Sequence, residues 1–437
     1  MSRAYVTFTV LPSPMMANPR SIVLWLLAFS ALFVPAPASA PAAAPRAPRF
    51  NFDTVPVYQH LAAVNSSDGS FPPARAAWLA RTYPIVVIEH VQAQGYLYSP
   101  PPGARQWGPE PFSPPSLPFE DAAAAAAAQL KSLNSSVVVL YYINANTALP
   151  WYRLAAPLAA DAHPEWRLSN ASCRGAKYGF GAGGDNMAPY ASFNFDLSVP
   201  ELRAWFVSSF TNTTAAFPAL DGIFADQNAC TAAPEQWAGA LETLRAMQAA
   251  RADLIVGFDE TGGEPSGNAG FRAAMNYALT APTPKGTTPA KNSGAEAVRW
   301  LQANGNAGVI SMAHDGAAAA GDGLYNYSLS VFLAGMHDTT PSYFAFCSVR
   351  RDAPIWEDCS DGGQPEAPAF PTWCAGQGAS ADFARPLGAP LGPAVATGGP
   401  RGEVARDFAS GTRVTVELVG DACEIRWGDG HSTICGG

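Results

Sequence analysis

Short, continuously apolar runs alternate along this chain with longer stretches of helical period. Ile85-Val86-Val87-Ile88 and Val137-Val138-Val139-Leu140 contain no polar position, the pattern of strands covered on both faces. Strand-like segments read as Pro84–Glu89, Val137–Asn144, Ala191–Asp196, Leu220–Asp226, Leu254–Glu260, Ala273–Leu279, Ala307–Ala313 and Ser342–Cys347. Helical stretches lie between them at about 121–132, 198–211, 234–250, 293–304 and 324–335. The first is mostly alanine, the strongest helix former, and begins on Asp121. In the second, Ser198 is the expected cap, Pro200 suits the first turn and Glu201 complements the dipole. Thr261–Arg272 is Gly-rich and leaves room for a short helix at most. Strand followed by helix, repeated to eight strands, predicts an α/β fold, a (β/α)8 TIM barrel.

The flanks read differently. Arg20, the apolar run Ile22–Val34 and Ala38-Ser39-Ala40 form a signal-peptide pattern over residues 1–40. The run is shorter than the roughly 20 residues that span a bilayer, so no stable membrane insertion is expected after cleavage. Residues 41–51 are an Ala/Pro-rich linker, 52–350 the barrel and 351–437 a Pro/Gly-rich extension. In that extension Thr412–Val419 and Cys423–Trp427 predict a small β-hairpin packed on the barrel. A formal net charge of -9 argues against a nucleic-acid partner. Sequons at Asn65, Asn134, Asn170, Asn212 and Asn326 favour the secretory route. The 7 cysteines show no C-x-x-C or zinc spacing. Cys173 with Cys230 and Cys423 with Cys435 are the expected pairs. The protein is expected to be a secreted monomer.

Barrel chemistry sits at the C-terminal ends of the strands, and acids recur there: Glu89, Asp196, Asp226, Asp259 and Glu260. In Asp221-Gly-Ile-Phe-Ala-Asp226 the period of two puts Gly222, Phe224 and Asp226 on one face. Asp226 therefore points into the barrel mouth, while Asp221 at the strand start reads as structural. Glycoside hydrolysis uses two carboxyl groups across the scissile bond. Glu260 is the preferred partner of Asp226 for its reach, with Asp259 close behind. Glu89 and Asp196 are held in reserve as acids and otherwise contact substrate. Asn144, Asn194, Gln227 and Asn228 suit hydrogen bonds to sugar hydroxyls. Trp151, Tyr152, Trp166 and Trp205 are candidates to stack on sugar faces, Trp151 the best placed and Trp205 more a core residue. Tyr141 and Tyr142 read as barrel filling. His90 and His314 follow strands; His314 is a candidate substrate contact, and with Asp315 a candidate proton relay. No nucleophile elbow, P-loop or dinucleotide fingerprint is present. The reaction requires no metal and no organic cofactor.

Five stretches resemble the hypothetical glycosyl-hydrolase-like family 15 of TIM-barrel proteins. They are Ala77-Trp-Leu-Ala-Arg-Thr-Tyr-Pro84, Phe195-Asp-Leu-Ser-Val-Pro-Glu-Leu-Arg-Ala-Trp205, Asp221-Gly-Ile-Phe-Ala-Asp226, Arg385-Pro-Leu-Gly-Ala-Pro-Leu-Gly392 and Arg406-Asp-Phe-Ala-Ser-Gly411. The resemblance implies the barrel, a glycosidase role on a carbohydrate substrate, and Asp226 as nucleophile. It implies no acid/base residue. The alternatives are a non-catalytic carbohydrate-binding barrel and a structural cell-surface glycoprotein.

Overall fold

Apolar runs with no polar face can only be satisfied by a sheet covered on both sides, and they form one here. The computed structural model describes residues 46–63, 66–90, 92–93, 117–145, 147–149, 151–159, 162–168, 194–226, 234–259, 271–276, 279, 294–315, 322–346, 381–420 and 422–435. The strands are β1 Gln59–Leu61, β2 Ile85–Ile88, β3 Val138–Asn144, β4 Gly222–Asp226, β5 Ile255–Asp259, β6 Ala273–Asn276, β7 Ile310–Asp315 and β8 Ser342–Phe346. They pair in chain order, all parallel. The ring closes through a parallel bridge of Val57 with Phe344, where Tyr58 N donates to Phe344 O at 3.1 Å. The chain is a (β/α)8 TIM barrel.

Around the ring lie α1 Pro73–Thr82, α2 Phe119–Leu133, α3 Pro200–Ala216, α4 Pro234–Ala250, α5 Gly294–Asn306 and α6 Asp322–Gly335. The alanine run of α2 places Phe119, Ala122, Ala123, Ala126, Ala127 and Leu130 on one buried stripe, the spacing of a helix face pressed on a sheet. Among the described residues no helix is long and apolar enough to cross a membrane.

Alternation along the strands separates two environments. Tyr142 faces inward against Phe224, with ring centroids 5.7 Å apart, while Tyr141 faces outward toward Phe119 of α2 at 6.4 Å. Tyr58 reaches across the interior to Met275 Sδ at 3.2 Å. Gly222 is obligatory. Its φ is +145°, and a Cβ there would fall 1.8 Å from the Ile255 carbonyl oxygen.

Several expectations need correction. The eight-strand count holds, but the described part of the expected strand Ala191–Asp196, from Asn194 on, does not join the barrel sheet. Asn194 and Phe195 instead form isolated antiparallel bridges to Thr147 and Arg167 in the loop after β3. The missing strand is β1, whose three residues are too short to give a periodic signal. β7 runs two residues beyond the expected Ala313 and so includes His314 and Asp315. Ser198 does not cap α3. The cap position is Val199, and Asp196 organises the turn by accepting from Ser198 N at 3.1 Å and Ser198 Oγ at 2.5 Å. The packed chain begins at least by Arg46, within the expected linker, because Arg46 pairs with Asp221 and donates its main-chain N–H to Asp253 O.

The C-terminal extension is more than a hairpin. The expected pair, β11 Arg413–Glu417 and β12 Cys423–Arg426, is the centre of a five-stranded antiparallel sheet with β9 Val395–Ala396, β10 Glu403–Asp407 and β13 Ser432–Ile434. Cys423 and Cys435 are disulfide-bonded, and the remaining cysteines lie outside the described residues. The sheet docks on α6. Tyr327 Oη donates to Glu417 O at 2.9 Å and Asn326 Nδ2 to Ile434 O at 2.8 Å. The buried Arg406 guanidinium donates to the Leu333 and Ala334 carbonyls at 3.1 and 3.2 Å, at the end of that helix.

Candidate active site

The strand tips of β1 to β4 bring polar groups to one interior. β4 carries Asp226 at its last position, half-buried and on the face of Phe224. Its Oδ2 accepts the Tyr142 phenol at 2.5 Å. Asn144, at the tip of β3, is the register partner of Asp226. Its Oδ1 accepts Thr147 N at 2.7 Å, which folds the loop back over the strand end.

Beside this pair sits a buried ionic cluster. Glu89, directly after β2, places Oε1 2.6 Å from His60 Nε2 and Oε2 2.6 Å from His90 Nδ1. Burial alone would push the Glu89 carboxyl up, but the two imidazoles outweigh it and hold the group well below the usual carboxylate range. His90 Nδ1 must carry its hydrogen toward the carboxylate, which fixes its tautomer. The rings of His90 and Tyr142 lie 4.7 Å apart, and those of His60 and His314 6.4 Å apart. Three histidines, Glu89, Tyr142 and Asp226 therefore share one region of the barrel interior.

The remaining sequence candidates divide. Trp151 is closed core rather than a stacking platform. It is 2% exposed, and its indole N–H donates to His90 O at 2.9 Å, so it fixes the backbone of the cluster from behind. Trp205 Nε1 is likewise spent on Leu154 O at 2.9 Å. Trp166 is buried and stacks with His163, ring centroids 3.9 Å apart. Asp196 lies outside the strand tips and accepts Gln236 Nε2 of α4 at 2.5 Å, so its contacts are those of a helix anchor. His314 and Asp315 cannot act as a relay pair, because adjacent strand residues face opposite sides. Ser328 of α6, on the outer layer, donates to Asp315 Oδ2 at 2.6 Å. Asp259 ends β5 as the register partner of Met275, and its side chain is outside the described residues. So are Glu260, Gln227 and Asn228.

His60 and Tyr142 were not legible as site residues. His60 lies in a three-residue strand. Tyr142 shares its face with Asn144 by the period of two, but its partner Asp226 is 84 residues distant. Among the described residues no three His, Cys, Asp or Glu side chains are grouped so as to hold a metal ion.

The sequence matches no protein-family profile and no curated protein. Solved structures do resemble the chain. An alpha-amylase from Anoxybacillus, described as a new glycosyl hydrolase subclass, is 7% identical over 85% of this chain and 88% of that one, with a TM-score of 0.44. A modular endo-beta-1,4-mannanase from Cellulomonas fimi is 10% identical over 85% and 81%, with a TM-score of 0.40. An alpha-galactosidase from Thermus thermophilus is 13% identical over 53% of this chain, which spans 44% of that protein, with a TM-score of 0.32. The likeness is one of fold. Low identities and scores carry no argument about chemistry, and the barrel assignment rests on the strand order itself.

Proposed function

We propose that the protein is a glycoside hydrolase that cleaves O-glycosidic bonds of a polysaccharide or glycoconjugate, with Asp226 as nucleophile or stabilising anion. The supporting observation is the Tyr142–Asp226 contact at the mouth of the barrel. Asp226 is a half-buried carboxylate at a strand tip that takes a neutral donor from the neighbouring strand. A hydrogen bond donated to a carboxylate favours its ionised form, the form that a developing oxocarbenium ion calls for.

The reaction also needs a proton donor. Glu89 does not suit that role, because a carboxyl held ionised between two imidazoles has no proton to give at working pH. Glu260 remains the proposed acid/base, with Asp259 as its rival. The five motifs quoted above support membership of the glycosyl-hydrolase-like family 15. The N-terminal pattern and the sequons support export, a carbohydrate substrate outside the cell and a monomeric, glycosylated protein.

The test is a panel of aryl glycosides given to the wild type and to Asp226→Asn. The proposal expects turnover of at least one glycoside, and a loss on the order of 10³-fold in the variant. No turnover across the panel, or full activity in the variant, would refute it. The anomeric form of the first product then separates retention from inversion.

A further inference from the structure

Tyr142 is fixed to an unusual degree for a residue that only fills a barrel. The residue is 1% exposed. His90 lies 4.7 Å from it between ring centroids, Phe224 5.7 Å, and His60 6.0 Å in a stacked arrangement. Its own main-chain carbonyl accepts the Tyr152 hydroxyl at 3.2 Å. The two histidines cannot move independently, since both are tied to Glu89. Trp151 in turn holds the His90 carbonyl. Swinging the phenol away would thus disturb a buried ionic cluster in a close-packed interior.

The immobilised group donates a hydrogen bond to Asp226 Oδ2 at 2.5 Å. We propose that Tyr142, clamped by His60, Glu89 and His90, is the positioning residue of Asp226, whose carboxylate it holds through Oδ2. This rests on the glycosidase reading for its consequence in catalysis, but not for its physical test. A donor to the ionised carboxylate favours that form. Without it, Asp226 should take up a proton at higher pH. Other ionisable groups of this interior among the described residues include Tyr58, His60, Glu89, His90 and His314, and their titration is read in parallel.

The experiment uses the full chain and Tyr142→Phe, which keeps the ring and its packing. Carbon-13 spectra of carboxylate-labelled aspartate, with the Asp226 signal assigned by its loss in Asp226→Asn, should show its midpoint rising in Tyr142→Phe. On any glycoside the wild type cleaves, kcat/KM should fall about 10- to 100-fold, with KM nearly unchanged and the acid limb displaced to higher pH. A barrel-filling role would change the unfolding midpoint alone. An unmoved Asp226 midpoint overturns the positioning role, whatever the activity. A wild type that cleaves no glycoside overturns the glycosidase reading instead, while the spectra still decide for or against Tyr142.

Discussion

Asp221 and Asp226 bracket one strand and meet opposite fates. Asp221, just before β4 at the floor of the barrel, is fully buried. It accepts Val139 N at 2.8 Å and is paired with Lys131 Nζ at 2.5 Å and with Arg46. Asp226, at the mouth, takes the Tyr142 phenol, and the ring of that tyrosine lies among the imidazoles of His60 and His90. Permanent cations neutralise a carboxylate and leave it no chemistry. A phenol holds one in place and leaves its charge to act. The two ends of β4 thus differ in their partners, cations and a main-chain N–H at the base and a phenol at the mouth, and the proposed function gives the reaction to the second.

The sharpest way to break this contrast is at the floor. Lys131→Met leaves a fully buried carboxylate with the Val139 N–H and the half-exposed Arg46 to answer it. Chemical denaturation should show a loss of about 3 kcal/mol. Asp221→Asn should cost less, because both cations can turn toward water. Turnover per folded molecule should be unchanged in both. A Lys131→Met protein of normal stability would remove the structural half of the contrast.

Arg406 extends the rule to a fully buried cation. Its guanidinium is spent on carbonyls at the end of α6 and on Asp338. Arg406→Met should lower stability by about 2 kcal/mol through the orphaned helix-end carbonyls, again without changing turnover per folded molecule.

The mouth has its own signature, smaller and dependent on pH. The folded Glu89 carboxyl lies below its ordinary value of 4.5. Its contribution is therefore fully present above that pH and is lost as the pH falls through the folded value. Unfolding free energy of the wild type should drop on acidification below pH 4.5, by at most about 1.4 kcal/mol per pH unit from this group. The slope should be shallower in Glu89→Gln. Equal slopes would mean that the imidazoles do not hold the carboxylate.

The parts of this picture legible in the sequence follow from its periods. Gly-Ile-Phe-Ala-Asp226 alternates cleanly, so the direction of Asp226 relative to Phe224 could be read, and the acid that begins the same segment could be separated from it. The alanine helix announced itself by composition and by Asp121. Other features depend on contacts between distant residues and leave no local trace. β1 carries a histidine at its centre and no apolar run. Asn194–Phe195 alternates like a strand but pairs with loop residues. Trp151 looks like a platform in sequence because nothing local shows that its N–H is spent on His90. Tyr142 reads as filling until the register of β3 on β4 sets it beside Asp226.

The most direct test of the account compares turnover of Asp226→Asn and Asp221→Asn on the same glycoside, each corrected for its folded fraction. The account predicts that the change at 226 lowers turnover on the order of 10³-fold while the protein unfolds normally, and that the change at 221 weakens the fold while turnover persists. Equal turnover in the two variants would contradict it.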